Sequence, residues 1–180
     1  GVAQTNKLRY QRAEAELARL HDTLPRRVYR RGRRAVGRSE LHSFCLFIGY
    51  PRSGHSLLGS LLDAHPDMAI AHEVNVLALA AEGLDRQTLF HTLLSKAEED
   101  GMRTRGRRAS GYSYAVPDGW QGYVRHLRVL GAKAGEKTTL RLGRNPDELA
   151  GLRHLVGAPV RLIHVTRNPF DTIARMALIT

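Results

Sequence analysis

The run FCLFIGY, residues 44–50, constrains the fold more than any other stretch of the chain. No charged residue interrupts it, so both faces of the extended segment must be buried, as in an inner strand of a parallel sheet. PRSG breaks the run at once, and HSLLGSLLDAH (55–65) follows, with Leu57, Leu58, Leu61 and Leu62 grouped on one helical face. A second apolar run, PVRLIHVT (159–166), is broken by RNP and followed by the helical segment FDTIARMALIT. Between them, DMAIAHE (67–73) is a short strand candidate, and helices are predicted over 74–83, ended by Gly83, and over 86–99, with Leu89, Leu93, Leu94 and Ala97 as the stripe. RVLGAKAGEKTT suggests a strand leading into a loop. NPDELAGLRHLV (145–156) reads as a helix with Asn145 as cap and Pro146 in its first turn. This alternation predicts an α/β fold on a parallel sheet.

The first 43 residues are expected to form a separate unit. Ala13, Leu17, Leu20 and Leu24 make one apolar stripe of a helix over 6–24, which Pro25 ends. RRVYRRGRRAVGR (26–38) then carries seven arginines and no acid, either a solvated arm or an anion-binding one. The chain opens with Gly rather than Met, so an N-terminal piece is expected to precede it. The domain proper is expected over 44–180.

The net charge of +11 is unevenly spread: +8 over 1–38, −6 over 39–100 and +9 over 101–180. Such a balance favours an anionic partner, whether nucleotide, anionic polymer, nucleic acid or membrane surface. No apolar run approaches the ~20 residues that span a bilayer. GMRTRGRRASGYSYAVPDGWQG (101–122) reads as a long Gly-, Arg- and Tyr-rich loop, with four arginines between 103 and 108. Cys45 is the single cysteine, which excludes an internal disulfide. Its apolar surroundings favour a buried small hydrophobe over a catalytic thiol. No C-x-x-C or H-E-x-x-H spacing points to a metal.

Counted from Gly49, the first joint reads G-x-x-x-x-G-H-S, the phosphate-loop spacing with His55 where a nucleotide-hydrolysing loop has lysine. A strand before, a helix after and glycine at the turn suit an anion held by backbone N–H groups. The same features suit a plain strand-to-helix turn. Arg52 supplies a cation, and Ser53 and Ser56 supply hydroxyls. His55 is a poor stand-in for the lysine that grips ATP phosphates, being mostly neutral near pH 7. No aspartate closes an apolar strand as a magnesium partner would; LIHVT ends in Arg167.

YPRSGHSLLGSLLDAHPDM together with HVTRNPFDTIARM resembles the sulfotransferases that use 3′-phosphoadenosine 5′-phosphosulfate (PAPS), over residues 44–176. The resemblance implies a three-layer, P-loop-like α/β fold. It implies that Arg52, Ser53, Gly54 and Ser56 hold the phosphosulfate, with His55 where the family usually has threonine, and that Arg167 holds the 3′-phosphate. Arg175 stands where the family usually has serine; it either reaches the 3′-phosphate in that serine's place or is a solvated helix residue. The family continues beyond the point matched by Thr180, so the domain is expected to be incomplete at its C-terminus.

Sulfuryl transfer to an alcohol needs a base, donors for the charge on the moving and leaving groups, and an in-line acceptor, without an obligatory metal. Glu73 closes the second strand candidate at the same sheet edge as the first loop. It resembles the proposed base in the LLDAHP…E segment of Golgi-type and tyrosylprotein sulfotransferases, with a structural salt bridge or a helix N-cap partner as the alternative role. His72 points to the other side of the strand, and His65, in its His-Pro context, reads as a helix terminus. Lys137 in GEKTT resembles the family lysine at the bridging oxygen; otherwise it is a solvated loop lysine. The function expected is sulfuryl transfer from PAPS to a hydroxyl acceptor, such as a glycan, tyrosine or small alcohol, and an anionic glycan suits the basic loop. A P-loop kinase or ATPase accounts for the first loop alone. A nucleic-acid module accounts only for the arginines, with no recognised motif.

Overall fold

The structure is a computed structural model that describes residues 41–105 and 113–177. The expected helix over 6–24, the arm over 26–38 and the 106–112 part of the basic loop lie outside the described residues.

Four strands, β1 (Ser43–Ile48), β2 (Met68–His72), β3 (Val129–Lys133) and β4 (Val160–His164), form one sheet in the order β2-β3-β1-β4. All pairings are parallel, with Phe44 level with both Leu130 and Val160, and His72 level with Lys133. The helices are α1 (His55–Asp63), α2 (Val76–Ala81), α3 (Arg86–Arg105), α4 (Glu136–Arg144), α5 (Glu148–Val156) and α6 (Pro169–Ala177). The expected α/β fold with a parallel sheet flanked by helices is what the chain adopts.

Alternate residues of the strands serve two faces, as the two-residue period requires. Phe44, Leu46, Ala69, Ala71, Leu130 and Ala132 pack with Val76, Leu77, Leu89, Phe90, Leu93, Leu152 and Val156 from α2, α3 and α5. Cys45, Phe47 and Ile70 form a smaller cluster on the other face, against Leu58 and Leu62 of α1. Cys45 is therefore a core residue, and burial pushes its thiol pKa up.

Four local expectations are corrected. The stripe assigned to α1 was too wide: Leu57 and Leu61 are each 50% exposed, because the helix turns Gly59 and Asp63 inward beside Leu58 and Leu62. GEKTT is not a loop but the start of α4, whose turn is fixed by Gly135 at φ 46° and by tertiary contacts of Thr139. Asn145 ends α4 instead of capping the next helix, which begins at Glu148 after a turn and has no side-chain cap. The third apolar helix runs past residue 99 to Arg105, shortening the connection to β3.

The connections after β1 and β3 leave toward opposite faces of the sheet, since α1 covers one face and α5, which follows α4, covers the other. Adjacent parallel strands whose connections part in this way open a crevice at their carboxyl ends, the usual place for a ligand in such a sheet.

Candidate functional site

The carboxyl ends of β1, β2, β3 and β4 lie along one edge, and the candidate residues gather there. After β1 the chain turns through Tyr50–Gly54 into α1. Gly54 has φ 105°, and a Cβ there would meet nothing within 4 Å, so glycine is required by backbone conformation and not by space. No side chain caps α1, and its first N–H groups point out of the helix toward the loop. Arg52 is exposed and adopts a left-handed backbone, φ 64°. The Ser53 hydroxyl is turned inward and donates to Tyr50 O at 2.7 Å, stabilising the loop's own bend. Ser56 lies in the first turn of α1, with its Oγ 3.1 Å from the Nζ of Lys133.

Glu73 follows β2 directly and also has a left-handed backbone, φ 59°. Among the described residues only three non-glycine positions have positive φ, and Arg52 and Glu73 are two of them. Left-handed backbone costs an L-residue of order 1–2 kcal/mol and gathers where function demands it. The Glu73 N–H donates to Lys133 O at 2.6 Å, and its carboxylate accepts a hydrogen bond from Lys133 Nζ.

Lys133 is the residue that sequence reasoning missed. It closes β3, is buried at 4% exposure, and its ammonium bridges Glu73 and Ser56. The available signal was a lone lysine in the small-residue strand end GAKAG, level with the end of β2. Partial desolvation raises the pKa of the Glu73 carboxyl, whose side chain is still 64% exposed, but the hydrogen bond and charge of Lys133, with the charges of Lys137 and His72, outweigh it and hold the group below its ordinary value. Glu73 is therefore ionised near neutral pH. Lys137 is exposed in the first turn of α4, close enough for its charge to be felt at Glu73.

His72 points toward α1, where a Cβ on Gly59 would lie 3.1 Å from its ring, as the strand alternation predicted. His65 is at the opposite edge of the sheet, beyond the C-terminus of α1, with Nδ1 accepting from the Asp67 N–H at 3.1 Å. It cannot serve chemistry at the loop.

β4 brings the second motif beside the first. His164 is level with Ile48, and a Cβ on Gly49 would lie 3.1 Å from Val165 O. Arg167 is exposed just before α6, with Nη2 3.5 Å from the Asp171 carboxylate, and Asn168 Oδ1 accepts from the Phe170 N–H at 2.9 Å. Arg175 is exposed in the last turn of α6, two turns further along. Among the described residues no group of His, Cys, Asp and Glu side chains could hold a metal ion, and no helix is long and apolar enough to cross a membrane.

The edge thus offers two cationic places, Arg52 with Lys133 between β1 and β3, and Arg167 beyond β4, with one ionised carboxylate between the first place and β2. Such a set can hold an anion at each place and accept a proton beside one of them. No protein-family model and no curated protein matches this chain.

Proposed function

We propose that this chain binds PAPS along the carboxyl edge of its sheet and transfers the sulfuryl group to a hydroxyl-bearing acceptor. The observation that carries the proposal is Lys133 lying between Ser56 of the phosphate-type loop and the Glu73 carboxylate. An anion-neutralising cation and a proton acceptor then share one place.

The residues present fit a nucleotide charged at both ends. The N–H groups opening α1, with Arg52, Ser56 and Lys133, suit the phosphosulfate, and Arg167 suits the 3′-phosphate. Arg175, exposed in the last turn of the helix that follows Arg167, either adds a further cation for the 3′-phosphate or is a solvated helix residue. PAPS supplies an activated sulfuryl group with a good leaving phosphate, and the chain's residues do the rest. Glu73 takes the acceptor's proton, and Lys133 neutralises charge accumulating at the bridging oxygen. Lys137 adds positive potential at the acceptor side. Lys133 is engaged by Glu73; drawing it toward an anion leaves Glu73 a stronger base at the moment the acceptor needs one. Glycan, tyrosine and small-alcohol acceptors all present the hydroxyl this chemistry requires.

Phosphoryl transfer from ATP is the lesser reading, since His55 turns inward to Ile48 O and is no substitute for the phosphate-gripping lysine. The test is transfer of labelled sulfate from PAPS to a panel of glycan, tyrosyl-peptide and small-alcohol acceptors. Transfer that Glu73→Gln abolishes supports the proposal, and phosphate transfer from ATP–Mg in its place would reject it.

A further inference from the structure

One residue of the loop has no part in the chemistry above. His55 stands where the resembled motif has threonine, yet it is 7% exposed and so is withdrawn from any ligand in the loop. Its Nε2 lies 2.9 Å from Ile48 O, the last carbonyl of β1. A carbonyl only accepts, so Nε2 carries the proton and Nδ1 the lone pair. Phe47 meets the ring edge-on, with centroids 6.2 Å apart at 75°.

Two glycines from distant parts of the chain make room for this ring. A Cβ on Gly49 would lie 3.1 Å from Nε2, and one on Gly135, at the β3–α4 turn, 3.1 Å from Nδ1. The imidazole therefore fills the gap between the β1–α1 loop and the β3–α4 turn. Two polar contacts cross the same gap. Thr139 Oγ1 of α4 accepts from the Gly49 N–H at 2.7 Å and donates back to Gly135 O at 3.1 Å. Lys133 Nζ reaches Ser56 Oγ at 3.1 Å. Burial and the nearby charges of Lys133 and His164 favour the neutral ring, against the pull of the Ile48 carbonyl and Glu73.

We propose that His55 is a positioning residue whose imidazole sets the spacing between the β1–α1 loop and the β3–α4 turn, and so holds Lys133 and the loop's N–H groups in register for an anion. Threonine is too short to span from α1 to both glycines while reaching the Ile48 carbonyl. The effect on ligand affinity rests on the nucleotide proposal above; the effect on loop spacing does not.

The test compares the full chain with His55→Leu, His55→Gln and His55→Thr. Imidazole 15N shifts should show the Nε2–H tautomer for His55 in the wild type. His55→Leu keeps bulk but loses the donor, and should speed Gly49 amide exchange and weaken binding of 3′-phosphoadenosine 5′-phosphate about tenfold each. His55→Gln places a side-chain N–H near the Nε2 position and should recover both to within about threefold, with thermal midpoints of Leu and Gln variants similar. An Nδ1–H tautomer, wild-type exchange and affinity in His55→Leu, or a Gln variant no better than Leu would each overturn the proposal. If the wild type does not bind this nucleotide, the anion site is misassigned, and Gly49 exchange alone decides: faster in His55→Leu supports the spacer, unchanged rejects it. If His55→Leu fails to fold, a near-wild-type Gln variant with a loosened Thr variant supports it, and the reverse order rejects it.

Discussion

Lys133 and Glu73 are joined twice: the Glu73 N–H donates to the Lys133 carbonyl at 2.6 Å, and the Lys133 ammonium donates to the Glu73 carboxylate. The first bond extends the ladder between β2 and β3 by one residue. It also holds Glu73 in the left-handed backbone that turns its side chain back toward the end of β3. A strained backbone and a buried lysine thereby serve one arrangement, an ionised carboxylate beside a cation at the mouth of the loop.

Removing the proton acceptor should separate chemistry from binding. Glu73→Gln keeps the side chain's size and its acceptor for Lys133, so nucleotide affinity and the fold should persist. Sulfuryl transfer should fall about 10²–10⁴-fold, the usual share of general-base catalysis. Single-turnover transfer beside a nucleotide titration checks this. Activity near wild type would leave Glu73 as a structural salt-bridge partner.

Lys133→Met should move the acid limb of the pH–rate profile. Without the cation, the protonated form of Glu73 is relatively favoured and its pKa rises toward the ordinary carboxylate range. Activity should therefore begin to fall at a higher pH as the solution is acidified, with the maximal rate also reduced. An unmoved acid limb would mean that Lys133 does not tune the base.

Arg52→Gly should stabilise the protein and impair it together. Glycine relieves the φ 64° strain, so the fold should gain up to about 1 kcal/mol. The loop loses its cation, and nucleotide affinity should fall at least about tenfold. Urea denaturation and calorimetric titration read the two effects. A destabilised variant with intact affinity would remove Arg52 from the site.

These expectations draw on the parts of the molecule that were readable in different degrees. β1 and the joint after it were legible because a strand buried on both faces gives a continuous apolar run, broken where the chain turns at the sheet edge; PVRLIHVT, read as another buried strand, is instead the outer strand β4, with Leu162 45% exposed. Glu73 was legible from its place at a strand end. Lys133 was not, since a single lysine among Gly and Ala carries no periodic signal. α4 was hidden by Gly135 and the Thr138–Thr139 pair, poor helix formers held in place by the Thr139–Gly49 contact across the sheet edge. The place of His55 needs two glycines far from it in sequence, which no local pattern reveals.

Asp63 provides a test of the scaffold alone. Its buried carboxylate accepts from the Ile70 and Gly122 N–H groups at 2.8 and 2.9 Å, tying α1 to β2 and to the connection before β3. Burial, with a smaller push from Asp100, nevertheless raises its pKa to about 6. The folded protein thus holds this proton more tightly than the unfolded chain. The contribution is fully present below about pH 4 and is lost as pH rises through about 6, on the order of 2–3 kcal/mol. Asp63→Asn should flatten the pH dependence of stability across that window, measured by urea unfolding at several pH values. An unchanged slope would show that Asp63 titrates normally.

The most direct measurement is a thermal-shift titration with 3′-phosphoadenosine 5′-phosphate without magnesium, set beside ATP–Mg, on the wild type and on Arg52→Ala and Arg167→Ala. The account predicts a clear rise in midpoint with the bisphosphate, a much smaller one with ATP–Mg, and loss of the bisphosphate shift in both variants. A larger shift with ATP–Mg, or full bisphosphate binding by both variants, would contradict it.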